Sequence, residues 1–239
     1  MRVWDIHPGY LSGRSLLGEH VEIHALYSII TGGKDGYSQH PETKRWIENL
    51  NQLVFRHNLV VKEMFLRNFK HNSPLQFFGN TKDYYLMDNL SYVDLPAEQF
   101  GILNRKYSNN GQAGRIPLPK NGTEFWAHHK YSIMTRGYQY YKEIQSFMKD
   151  KKSLPIQQEG ELILKIQNYM NFNMAEKSLE NTIQHLWGYF KKEATSEEKI
   201  YFFDLSDPIS KLNILFAMAR KYQKYYLLHS TVFADFIPS

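Results

Sequence analysis

Apolar residues recur at near-helical spacing between Ser15 and Ile30, at Leu16, Leu17, Val21, Ile23, Leu26, Tyr27 and Ile30, which predicts a first helix with Ser15 placed to cap it. The glycines of Thr31-Gly32-Gly33-Lys34-Asp35-Gly36 end that helix in a turn. His40-Pro41-Glu42-Thr43 has the chemistry of a helix start, with proline in the first turn and a carboxylate facing the positive end of the helix dipole. From Glu42 to Asn68 the residues Trp46, Leu50, Leu53, Val54, Val60, Val61, Met64 and Phe65 form one broad stripe, which predicts a second long helix. Between Phe69 and Asn121 the pattern breaks into short apolar pieces separated by Pro74, Gly79, Pro96, Gly101, Gly114, Pro117 and Pro119, and the cluster from Ser108 to Gly122 predicts a domain boundary. Beyond it, Glu124 to Met148, Glu161 to Met170, Ala175 to Lys192 and Asp207 to Leu228 each predict a helix, and Thr195-Ser196-Glu197-Glu198 reads as a helix cap. The expected architecture is all-α, with one helical domain over residues 1–115 and a helical bundle over residues 120–239.

A chain of 239 residues with 42% hydrophobic and 15% aromatic side chains can bury a sizeable core, which argues against disorder. The absence of cysteine excludes disulfides, zinc–thiolate sites and thiol nucleophiles. The first residues, MRVWDIHPGYLSGR, lack the apolar run of a signal peptide, and no later stretch approaches the roughly 18 apolar residues of a membrane span, so a cytoplasmic protein with no membrane partner is expected. The net charge of +5 favours a polyanionic partner, although many basic proteins bind no nucleic acid.

The chemistry concentrates in the first helix. Leu16-Leu17-Gly18-Glu19-His20-Val21-Glu22-Ile23-His24 holds two carboxylates and two histidines; Glu19, His20, Ile23 and His24 fall near one side, with Glu22 about one residue step away. Such groups commonly form a solvated face. Imidazoles four residues apart on a helix can also share a metal, here His20 and His24 with His40 and His57, Glu19 or Glu22 completing the set. The spacing is His-x-Glu-x-His rather than the metalloprotease His-Glu-x-x-His, and histidines that pack or touch phosphate are the favoured reading, so no metal and no cofactor is assigned. The glycine pairs lack the strand–loop–helix setting of a phosphate-binding loop.

Met1-Arg2-Val3, the helix segment ending in Glu22, the turn Gly36-Tyr37-Ser38-Gln39-His40-Pro41 and the helix through Arg56 and Lys62 to Arg67-Asn68-Phe69 resemble the phage endonuclease V family of pyrimidine-dimer DNA glycosylases, over roughly residues 1 to 75. The resemblance implies a glycosylase with AP-lyase activity on UV-damaged double-stranded DNA. It places the nucleophilic α-amine on Met1, which the bulky Arg2 is expected to leave in place, and the assisting carboxylate on Glu22. Nucleic-acid contacts are expected from Arg2, His20, His24, His40, Lys44 and Arg45. An α-amine suits the task because its reference pKa of about 7.7–8.0 leaves a neutral fraction near pH 7. Where the family carries a basic residue beside the glutamate and a histidine near the helix start, this chain has Val21 and Ser15.

From about Thr123 onward, Phe125-Trp126-Ala127-His128-His129-Lys130-Tyr131 and His185-Leu186-Trp187-Gly188-Tyr189-Phe190-Lys191-Lys192 resemble the YbgA-type domain of uncharacterised function. Base and aromatic side chains interleave there, and His128, Lys130, Lys191 and Lys192 are further candidate nucleic-acid contacts; a helical bundle with solvated lysines is the competing account. Alternatives to the DNA glycosylase are an enzyme acting on modified or thiolated pyrimidines in tRNA, a metal-dependent hydrolase built on the histidine-rich helices, and a non-catalytic binding module. The oligomeric state is left open.

Overall fold

Ser12, not Ser15, accepts the backbone N–H of Ser15 and starts the first helix, α1 (Gly13–Gly32), which closes on Gly33 in the left-handed region at φ 57°. The computed structural model describes residues 2–33, 35, 37–77, 91–149 and 153–237. His40 caps the next helix as the His-Pro-Glu pattern predicts, but the single long helix expected over 42–68 is two, α2 (Pro41–Ile47) and α3 (Leu50–Leu66). Asn49 makes the break: its side-chain amide donates to the Arg45 carbonyl at the end of α2, while its own carbonyl accepts the Leu53 N–H that opens α3. A residue that hydrogen-bonds its own neighbourhood competes with the helix ladder, and a stripe of apolar positions does not register this.

The stretch read as broken holds α4 (Pro96–Asn110), which begins with proline in its first turn and Glu98 reaching back to the Leu95 N–H at 2.9 Å, and ends on Gly111 at φ 60°. Its buried stripe is narrow (Ala97, Phe100, Leu103, Tyr107), and that is why it escapes a broad-stripe criterion. Gly114 then passes against Tyr10, where a Cβ would come within 2.5 Å of the Tyr10 carbonyl carbon, and pairs in an isolated bridge with Ser12. The expected 124–148 helix is likewise two, α5 (Gly122–Arg136) and α6 (Tyr138–Lys149), parted at Gly137. There follow α7 (Gly160–Met170), α8 (Glu176–Trp187), α9 (Ser196–Asp204, capped by Thr195 and Glu198 as the sequence predicts), α10 (Pro208–Lys221), α11 (Tyr225–Leu228) and α12 (Val232–Asp235). The fold is all-α, with twelve α-helices and no strand among the described residues. No helix among them is long and apolar enough to cross a membrane.

Two apolar cores form. The first runs from Val3, Ile6, Leu16 and Ile23 through Trp46 and Leu53 to Phe100, Phe125, Ile163 and Ile166, and so continues past residues 115–120. The second gathers Tyr131, Leu186, Trp187, Phe202, Leu215 and Phe233, and takes in Leu66 from the end of α3. Buried ion pairs stitch the two. Glu63 on α3, fully buried, accepts from Arg67 at 2.7 Å and from Arg115 at 2.8 and 2.9 Å. Arg67 continues to the carbonyls of Leu11, Pro8 and Gly9, and Arg115 to those of Leu228 and Ser230. Arg136 pairs with Asp235, whose carbonyl also accepts from Lys62 on α3.

Burial pushes the Glu63 carboxyl up, but Arg115 and Arg67 outweigh it and hold the group below the ordinary glutamate value. Its contribution to stability is therefore complete above the unfolded-state value of about 4.3 and is lost as pH falls through the lower folded-state value. Glu63→Ala, which strands two guanidinium groups, is expected to cost about 3–5 kcal/mol in urea unfolding at pH 7. The difference from wild type should shrink as the pH is lowered below 4.

Candidate functional site

The first residues are held by side chains from five helices, α1 to α4 and α7. Successive backbone N–H groups donate inward: Val3 to Glu42 on α2, Trp4 to Glu19 on α1 at 2.8 Å, and Asp5 to the Gln99 amide oxygen on α4 at 2.8 Å. Arg56 on α3 clamps both oxygens of Glu19, Nε to Oε1 at 2.8 Å and a terminal nitrogen to Oε2 at 2.9 Å, and gives its other terminal nitrogen to the Ile6 carbonyl at 2.7 Å. Asp5 is itself paired with Arg45, which also reaches Glu42, and Gln167 on α7 donates to the Asp5 carbonyl. Burial raises the carboxyl groups of both Glu19 and Glu42, even though Arg56 and Arg45 pull the other way.

Glu22 sits beside this network. With Ile23 pointing into the core, Glu19 and Glu22 lie on one flank of α1, and His20 and His24 on the other, Glu22 being about 160° round the helix from either histidine. Glu19 is 2% exposed, whereas Glu22 is half-buried and reaches solvent. Met1 lies outside the described residues. Arg2 is half-exposed, pairs with Asp94 at 2.7 Å and stands over the Trp4 ring. Below residues 4–8 is a cavity of about 300 Å³ walled by Trp4, Trp46, Phe55, Tyr92, Phe125 and Arg56, among others. His129 and Gln167 also line it, and each carries a buried polar atom with no hydrogen-bond partner, Nδ1 and Oε1.

The other expected contacts are dispersed. Lys44 is exposed on α2, and His40 is occupied as the α2 cap, its Nδ1 accepting from the Glu42 N–H. Arg45 is inside the protein, committed to Asp5 and Glu42. His128 is buried too; the Tyr10 hydroxyl lies 3.1 Å from both its Nδ1 and His129 Nε2, and burial, with His229 adding to it, lowers the pKa of His128 to about 4. Lys130 extends over the rings of Tyr131 and Tyr226, and Lys191 and Lys192 are exposed in the turns after α8.

His20, His24 and His57 do come together, but the fourth member is His71, not His40. The chain reverses after α3 because Asn68 takes φ 63° and the Phe69 N–H returns to the Met64 carbonyl, a helix-ending motif that lays residues 69–73 back toward α1 and α3. Neither Glu19 nor Glu22 takes part in the cluster. The Glu19–Arg56 pair does not stand out by motif, although each residue lies in the apolar stripe of its helix, Glu19 between Leu16 and Ile23 and Arg56 between Leu53 and Val60. Opposite charges within two buried stripes are the signal that could have found them.

The class that emerges is an all-helical protein whose leading segment is fixed in a buried polar network. Residues 1–77 match the family model described as pyrimidine dimer DNA glycosylase. Residues 130–236 match a family model described as protein of unknown function (DUF1722). The N-terminal match is a likeness to that family over 77 of the 239 residues. No curated protein and no solved structure matches the chain.

Glu19→Gln, which leaves Arg56 uncompensated, is expected to lose at least about 3 kcal/mol of unfolding free energy. Glu22→Gln, half-exposed and outside the network, should stay within about 0.5 kcal/mol of wild type. Equal losses in urea titrations of the two variants would contradict this division between a structural and a free carboxylate.

Proposed function

We propose that the protein is a DNA glycosylase with AP-lyase activity on pyrimidine-dimer lesions, with the α-amine of Met1 as nucleophile and Glu22 as the assisting carboxylate. The observation that carries the reading is the row of buried acceptors, Glu42, Glu19 and Gln99, that fixes the backbone of residues 3–5. An amine two residues before such an anchor loses little freedom on reaching a defined position, which is what a near-attack geometry requires.

The amine lone pair attacks C1′ of the damaged nucleotide, and the glycosidic bond breaks with its electron pair leaving on the base, which takes up a proton. Opening of the sugar ring gives a protonated imine. Loss of a C2′ proton then expels the 3′ phosphate by β-elimination. Glu22 is suited to shuttle these protons and to stabilise the cationic imine, because its carboxylate is free of the ion pair that occupies Glu19. The aromatic cavity beneath residues 4–8 is the proposed receptacle for an extruded base, with Trp4 and Tyr92 as stacking surfaces. Arg2 exchanges Asp94 for a phosphate, and the exposed Lys44, Lys191 and Lys192, with the half-buried Lys130, are further cations proposed to meet DNA.

Untagged protein incubated with thymine-dimer duplex and borohydride should give a covalent adduct. An N-terminally extended version should give none, and Glu22→Gln should bind the duplex but trap at least tenfold less. An adduct that survives the extension would rule out the amine. Arg2→Ala is expected to weaken duplex binding and to reduce the slope of log K against log salt by about 1.

A further inference from the structure

We propose that His20, His24, His57 and His71 form a binding site for one divalent transition-metal ion, with Zn²⁺ the natural occupant. The four rings come from three places in the chain: α1, α3 and the reversed segment after α3. One ligand nitrogen from each lies within 4.8 Å of all the others, and the described residues hold no other such group of three or more histidine or acidic donors. The Nε2 atoms of His20 and His24 are 3.2 Å apart. Two nitrogens bound tetrahedrally at about 2.0–2.1 Å stand about 3.3–3.4 Å apart, so this edge of the site already has the dimension the ion needs.

Each of the other two rings is oriented from behind. His57 Nδ1 is 3.1 Å from Asn58 Oδ1, an acceptor, which keeps the ring proton on Nδ1 and leaves the lone pair on Nε2. That Nε2 is buried and has no hydrogen-bond partner, on a residue only 1% exposed. An unpaired buried acceptor is costly, and an ion at the centre of the four rings would satisfy it. His71 Nε2 is 3.0 Å from the Ser73 carbonyl, which it can only donate to, so Nδ1 is the atom left to ligate. The Phe65 ring stands edge-on to His71 and shields that side.

Four imidazole donors without a carboxylate select ions that favour nitrogen over Mg²⁺ or Ca²⁺. A set of four protein ligands fills a tetrahedral shell and leaves no position for an activated water, so the site is structural. Its effect is to tie residues 69–73 to α1 and α3. It stands on the flank of α1 away from Glu22, and the inference is independent of the glycosylase reading.

The test uses the full chain stripped with a chelator and dialysed against Zn²⁺, Co²⁺ or Mg²⁺. One Zn²⁺ per chain is expected, with a raised melting temperature. Co²⁺ should give the strong visible d–d bands of a tetrahedral site, and Mg²⁺ should not bind. His71→Ala, at a partly exposed position, should weaken Zn²⁺ at least tenfold and bleach the Co²⁺ bands while circular dichroism shows the helices intact; Asn58→Ala, which removes only the orienting acceptor, should weaken Zn²⁺ about 10–100-fold. No Zn²⁺ on folded wild type at micromolar free ion, binding that persists in His20→Ala/His24→Ala, or an octahedral Co²⁺ spectrum would each overturn the assignment.

Discussion

A carboxylate inside an apolar helix stripe must be answered by a cation and by hydrogen-bond donors, and the Glu19–Arg56 pair is where this chain meets that requirement. Arg56 takes both oxygens of Glu19, and the remaining acceptor capacity goes to the Trp4 backbone rather than to water. The pair thereby aligns α1 with α3 and hangs the leading segment between them. The third arm of Arg56, on the Ile6 carbonyl, prevents that segment from sliding along α1. The walls of the cavity, the direction of the first residues and the approach of α7 through Gln167 all follow from this alignment.

The helical class and the helix starts were legible because they are local. His40-Pro41-Glu42 and Thr195-x-x-Glu198 name their own first turns, and both caps form. The breaks were less so. Asn49, Gly137 and the Tyr222–Gln223 turn interrupt stripes that are continuous in composition, and each does so by a backbone or side-chain hydrogen bond specific to one position. Helix α4 was hidden for the opposite reason, since a narrow apolar face suffices where Tyr10 and Phe125 close over it.

The chemistry was legible by residue type and less so by partner. The clustered carboxylates and histidines of α1 do divide into working groups, but along a line that periodicity alone does not draw: Glu19 inward, Glu22 to solvent, His20 and His24 toward α3. His71 could not be foreseen as the fourth histidine, because its place depends on Asn68 adopting a left-handed turn. Arg45 and His128 have the composition of phosphate contacts and are spent in the interior instead. Residue type alone carries no record of burial; only a charge set within an apolar stripe, as Glu19 and Arg56 are, carries one.

The Glu63 network has a further meaning for how such a chain can change over generations. Arg67 and Arg115 meet on one carboxylate and fan out to Pro8, Gly9 and Leu11 on one side and to Leu228 and Ser230 on the other. Two segments that match separate families are thus soldered through one shared carboxylate and the two arginines that radiate from it, rather than joined by a tether. Exchanging either one for a distant cousin would leave charged groups stranded in the seam, so substitutions at residues 8–11, 63–67, 115 and 228–235 are expected to travel together. Recombination between the two segments would break this seam, a penalty that a flexible linker would not impose.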